Sequence, residues 1–304
     1  FERGINIEDL DQAVREGVFR MTMHVDTSEM ITKPETLRED LRDLGEELDL
    51  DVQVRFPAER GARNLAIMVT KESHCLERLL EAWDAGDLDA DVSAVIGNHD
   101  DLHPVAEEYG VPFYDIGDAS GVPDEEWLLD ILADHDVDLI ALARYMRILS
   151  PDVVFRYENR IINVHPSLLP AFPGAQAYRQ ALEKGVRIAG VTAHYVTTDL
   201  DQGPIILQRA FDVPRGIITG EPADMDAAVE RLRERGQPLE AEALLEAVRL
   251  HLADAITVHR GRTRLRDPPE DLRTGLPEAV EGARPRAPTD GYSSHSARQS
   301  SPQK

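Results

Sequence analysis

The chain has 304 residues, with 57 acidic against 33 basic side chains and a formal net charge of −24 at pH 7. That length suits about two domains, and that charge repels phosphate backbones, which excludes general nucleic-acid binding. The lone cysteine, Cys75, excludes an intrachain disulfide and fits a reducing compartment, and no apolar run approaches the ~18 residues of a membrane span. Only Lys33, Lys71, Lys184 and Lys304 are lysines. Molar salt shortens the Debye length to ~3 Å and removes most self-repulsion, so an acid-rich, lysine-poor chain reads as adapted to a salt-saturated cytoplasm. The residues from Phe1 to Asp9 lack the basic-then-apolar order of a secretory leader.

Residues 1–57 form a first unit. A short strand is expected near Ile5–Ile7. Val18–Val25 alternates, with Phe19, Met21, Met23 and Val25 on one face, and predicts a half-buried strand. Pro34 opens a helix whose Leu37, Leu41, Leu44 and Leu48 share a stripe, and Asp51–Phe56 alternates again. This order resembles the latter part of an ACT domain, a small regulatory fold, so the unit is read as a partial ACT-like domain.

Residues 58–62 read as a linker. From Asn64 onward, apolar runs at Leu65–Val69, Val92–Ile96, Asp138–Ala143 and Arg160–Val164 alternate with helical spacing at Ser73–Ala85 and Pro123–His135. That alternation predicts a mostly parallel sheet with helices on both faces, an α/β domain over 63–265. Val191–Thr197 and Pro204–Val213 are further β-type runs joined by a turn at Asp199–Gly203, and Leu239–His259 reads as a final amphipathic helix. Residues 266–304 hold six prolines and few large apolar side chains, which predicts a disordered tail.

Ligands in open α/β sheets bind beyond the carboxyl ends of the strands. Four segments are expected there: Ala143–Pro151, Asn163-Val-His-Pro-Ser-Leu-Leu-Pro170, Gly190–Pro204 and Asn98–Leu102. The second of these, followed by His194-Tyr-Val-Thr-x-x-Leu-Asp-x-Gly-Pro204, resembles the folate-dependent formyltransferase family over roughly residues 63–262. The resemblance implies a Rossmann-like catalytic domain. With an ACT-like unit ahead of it, the chain is most similar to the branch that hydrolyses 10-formyltetrahydrofolate to formate and tetrahydrofolate, in balance with purine biosynthesis. Thr70–Leu76, Asn98-His99 and Ala143–Pro151 also look like that branch.

The residue types suit this chemistry in themselves. Water adding to a formyl carbonyl creates an oxyanion that needs preorganised donors. Asn163 supplies an amide donor, His165 can supply an N–H, and Asp201 can hold the water, orient or charge His165 and shuttle a proton. The resemblance implies the same three catalytic roles. It also implies that the pteridine lies against Met146, Arg147, Ile148 and Leu149 and the loop Thr197, Thr198, Asp199 and Leu200. Each residue has a plainer reading: Asn163 and His165 as loop caps, Asp201 as an Asx-turn residue, Ile148 and Leu149 as packing, and His194 as a structural strand residue. His99 and His103 could mimic a metal pair but lack a clear third ligand, so a helix-start turn is preferred. Cys75 reads as core or wall.

No GxGxxG sequence is present, so no dinucleotide cofactor is expected; no metal is required, and the folate is the substrate. The resemblance further implies a homo-oligomer, since ACT-like units commonly pair. Two other readings remain. A glycinamide ribonucleotide formyltransferase would hold its substrate phosphate on a glycine-rich loop after the first strand, where this chain has Thr70-Lys-Glu-Ser-His-Cys75. A non-catalytic folate-binding sensor would not need Asn163, His165 and Asp201 together.

Overall fold

Short apolar runs bounded by turn residues are the raw material of a buried sheet, and from residue 63 onward they assemble one. The fold is described from a computed structural model covering residues 3–15, 18–50, 52, 54, 56, 63–214 and 222–265. The chain divides into two units, Phe1–Ala62 and Arg63–Lys304.

In the first unit, β1 (Asn6–Arg15) and β2 (Val18–Asp26) form an antiparallel hairpin followed by α1 (Pro34–Leu48). The strand expected near Ile5–Ile7 therefore runs on to Arg15. Its ladder to β2 stabilises residues such as Asp11 and Gln12 that carry no strand signal of their own. The half-buried face expected on β2 is not buried: Phe19, Met21, Met23 and Val25 are between 39% and 54% exposed. On α1 only Leu37 of the leucine stripe is fully buried. The expected strand Asp51–Phe56 falls partly, and the expected linker wholly, outside the described residues.

The second unit opens with β3 (Arg63–Val69), α2 (His74–Asp84) and β4 (Ala90–Gly97). Next come α3 (His103–Glu108), β5 (Phe113–Asp115), α4 (Glu125–Asp134), β6 (Leu139–Ala143), α5 (Pro151–Arg156) and β7 (Ile161–His165). It closes with α6 (Ala177–Glu183), β8 (Ile188–Tyr195), β9 (Ile205–Asp212), α7 (Pro222–Leu252), β10 (Ile256–His259) and β11 (Arg262–Leu265). Seven strands form one sheet in the order β5-β4-β3-β6-β7-β8-β9. The first five are parallel, and β8 and β9 are antiparallel additions. One face packs on α2 and α7 through Leu76, Leu79, Leu80, Leu244, Leu245 and Val248. The other packs on α4 and α5 through Leu128, Leu132 and Val153. Both faces are covered, so β6 and the Leu65–Val69 stretch of β3 are apolar throughout.

The last helix differs from the expectation. It runs Pro222–Leu252, with Pro238 inside it, where the sequence reading has Leu239–His259. Gly236 and Pro238 look like punctuation, but packing against the sheet and α2 sustains the helix through them. At Gly236 a Cβ would lie 1.7 Å from the Tyr178 hydroxyl, so the glycine is what lets α6 approach. Residues 256–259 are a hairpin strand because Arg260 and Gly261, at φ 49° and 70°, make the left-handed two-residue turn that joins antiparallel strands. Among the described residues, no helix is long and apolar enough to cross a membrane. The expected disordered tail lies outside the described residues.

Candidate active site

Alternation along β7 points Asn163 and His165 to one face and Val164 to the other, where it joins the α2–α7 core. Because β8 is antiparallel, His194 pairs across from Asn163 and Thr192 from His165. The turn after β8 brings Asp201 back toward His165. That return needs Gly203, where a Cβ would sit 1.7 Å from the Tyr195 carbonyl oxygen. Asp201 itself is left-handed, φ 53°, a conformation that aspartate tolerates better than most residues.

Three expected catalytic residues and one unexpected histidine thus meet. His165 Nδ1 lies 3.4 Å from Asp201 Oδ2, with both side chains almost fully buried. Gly174 N–H donates to the same Oδ2 at 2.7 Å. His165 Nε2–H donates to the Phe172 carbonyl at 2.8 Å. Both ring nitrogens therefore face oxygens, which fixes the plane of the ring. The N–H that the sequence reading reserved for a substrate oxygen is committed to Phe172. Phe172 is itself left-handed, φ 55°, a local strain that places its carbonyl against the ring. Asn163 Nδ2 lies 3.3 Å from His194 Nε2, and Asp201 Oδ1 lies 3.9 Å from that same nitrogen. Burial pushes the His194 imidazole below its ordinary range, against the opposing pull of the Tyr195 carbonyl and Asp201.

The loop carrying the expected pteridine contacts is tied to the strand ends. Met146 N–H donates to Thr70 Oγ1 at 2.9 Å, and Thr70 Oγ1 donates to Asn98 Oδ1 at 2.8 Å. The buried Asn98 amide in turn donates to the Gly121 carbonyl. Arg147 donates to the Ser120 carbonyl. Met146 and Ile148 are 58% and 74% exposed, whereas Leu149 packs into the α4–α5 core. In the other stretch Thr197 Oγ1 donates to the Asp199 carbonyl, Thr198 is partly buried, and Leu200 is half exposed.

Residues 63–248 match the formyl transferase family. The chain belongs to that family. It is 37% identical over 268 residues to the formyltetrahydrofolate deformylase of Bacillus subtilis, covering 86% of this chain and 85% of that protein. The crystal structure of a formyltetrahydrofolate deformylase from Pseudomonas syringae superposes with a TM-score of 0.63 at 30% identity, over 88% of this chain and 87% of that one. Glycinamide ribonucleotide transformylase 1 from Symbiobacterium toebii gives a TM-score of 0.61 at 33% identity, over 71% of this chain and 99% of that one.

The formyl transferase domain contains one polar cluster that the sequence reading did not assemble. Arg144, left-handed at φ 63°, donates to both oxygens of Glu72 at 3.1 and 3.2 Å and lies 3.5 Å from Glu240. Glu240 is 1% exposed; it accepts from the Tyr178 hydroxyl at 2.6 Å and faces His74 Nε2 at 3.3 Å. Burial pushes both carboxyls up, but Arg144 at Glu72, and His74, Arg144 and Tyr178 at Glu240, outweigh it and hold both below the ordinary range. The signal lay in Glu72 and Arg144 within their motifs; nothing local announced Glu240 or Tyr178. His103 stacks on Phe113 at 5.2 Å, and among the described residues no group of three His, Cys, Asp or Glu side chains could hold a metal. Cys75 packs in the core, and burial pushes its thiol up.

Proposed function

We propose that this protein hydrolyses 10-formyltetrahydrofolate to formate and tetrahydrofolate, with Asn163, His165 and Asp201 as its catalytic residues. The observation that carries the reading is the buried His165–Asp201 pair, 3.4 Å apart, beside the Asn163 amide. Asp201 takes a proton from water as the oxygen attacks the formyl carbon, and Asn163 donates to the oxyanion that forms. His165, held between the Asp201 carboxylate and the Phe172 carbonyl, orients that carboxylate toward the water. Collapse breaks the C–N bond, the proton passes from Asp201 to the departing amine, and formate leaves. The pteridine is read against Met146, Arg147, Ile148 and Leu149 and the loop Thr197–Leu200, with the folate as substrate and no further cofactor.

Water rather than an amine is the acceptor because the buried Arg144 guanidinium is already neutralised by two carboxylates, Glu72 and Glu240. This leaves the Arg144 guanidinium no unpaired positive charge with which to hold a phosphate dianion. The likeness to glycinamide ribonucleotide transformylases supports the rival transferase reading, so the test separates the two. With labelled formyl donor and millimolar glycinamide ribonucleotide, label is expected in formate alone, at a rate that the nucleotide does not change. Label mainly in a formylated nucleotide would overturn the hydrolase reading.

The domain roles follow this reading: residues 1–57 as a partial ACT-like regulatory unit, 58–62 as linker, 63–265 as catalytic domain and 266–304 as tail. The ACT-like reading is supported by the strand and helix order of the first unit, and a homo-oligomer by its exposed apolar hairpin face. A cytoplasmic, salt-adapted enzyme of one-carbon and purine metabolism is supported by the lone buried cysteine and the net charge of −24.

A further inference from the structure

We infer that His194 is a positioning residue for the reaction: a neutral, tautomer-locked acceptor that takes one N–H of the Asn163 amide and so leaves the other free for the formyl oxygen. The inference rests on the hydrolase reading above and assigns a residue that the reading itself does not require.

His194 is 2% exposed and held at both ring nitrogens. Nδ1 faces the Tyr195 carbonyl at 2.9 Å; a carbonyl oxygen only accepts, so Nδ1 carries the hydrogen. Burial disfavours a second proton on the ring. Nε2 is therefore a bare lone pair, and it faces Asn163 Nδ2 at 3.3 Å. An amide side chain has two faces of similar shape, one donating and one accepting. Only the donating face satisfies a bare nitrogen, so the Asn163 amide cannot rotate by half a turn without setting two lone pairs against each other. Of its two N–H groups, one is taken by His194 and the second stays available to an oxyanion. The sequence makes this possible by register alone. Asn163 and His194 are direct partners across the antiparallel β7–β8 ladder, where facing side chains come within about 5.5 Å at Cβ.

The test is steady-state and single-turnover formate release from 10-formyltetrahydrofolate by the full chain, with folding of each variant checked by thermal melting. His194→Leu should lower kcat on the order of tenfold, with KM within about twofold. The ceiling is the ~10²–10³ expected for losing the Asn163 donor outright. His194→Gln, whose amide reaches the place of Nε2, should recover most of the rate, whereas the shorter His194→Asn should not. In the Asn163→Ala background His194→Leu should have no further effect, since the group it orients is gone. An unchanged kcat in folded His194→Leu overturns the inference, as does the same loss with and without Asn163. If His194→Leu does not fold, the Gln and Asn variants decide, and equal rates overturn it. No formate from the unchanged protein would bring down the hydrolase reading and this one with it; an active protein with an additive cycle removes this one alone.

Discussion

Asp201 combines a left-handed backbone, a nearly buried carboxylate and contacts to His165, His194 and the Gly174 N–H. Its shape is kept by asparagine but its basicity is not. Asp201→Asn should retain the fold and folate binding while lowering kcat by a factor on the order of 10² or more, as loss of a proton acceptor does. Near-normal turnover in that variant would sink the assignment. Asn163→Ala should also act on kcat, by roughly 10²–10³, with KM little changed, because its donor matters most once charge develops on oxygen. Measuring kcat and KM separately for the two variants checks both.

Between elements, the group joining α7, α6, the β3–α2 loop and the end of β6 is a buried ionic network. Glu240 is its centre and Arg144 its cation. Tyr178→Phe leaves one oxygen of an ionised buried carboxylate without its donor and should cost about 1–3 kcal/mol, read by urea unfolding. Arg144→Met strands two carboxylates and should cost about 3–5 kcal/mol at pH 7. Glu72 and Glu240 are held below their ordinary value of 4.5, so their contribution is complete above that value. It is lost as the pH falls through the lower, folded-state value. The stability gap between the unchanged protein and Arg144→Met should therefore be widest near neutrality and narrow on acidification below about pH 5. A gap that is constant with pH would show that the network does not carry the difference.

Across the whole molecule, a net charge of −24 opposes compactness in dilute buffer. Salt at molar concentration screens it within ~3 Å, while the short buried pairs of the site are screened much less. Melting temperature should rise from dilute buffer into molar potassium chloride, and dialysis into dilute buffer should loosen the fold. A melting temperature independent of salt would refute the reading of the composition. Formate release, limited by buried groups, should follow folded fraction as salt changes.

By itself the sequence determined the α/β class, because runs such as Leu65–Val69 and Asp138–Ala143 have no soluble place except a sheet covered on both faces. It also set Asn163, His165 and Asp201 in two motifs whose spacing is compact enough to read, and the fold brings the three together. Local pattern did not determine pairing. The extension of β1 to Arg15 is stabilised by hydrogen bonds to another strand, and the passage of α7 through Gly236 and Pro238 by its packing on α2 and the sheet; neither leaves a period in its own segment. Antiparallel register alone set His194 against Asn163. The Phe172 carbonyl came to hold His165 through a left-handed residue that no propensity favours. Contacts between residues far apart in the chain, such as Tyr178 with Glu240, depend on how elements dock. Docking is decided by the fit of buried surfaces, which a single strand or helix does not carry.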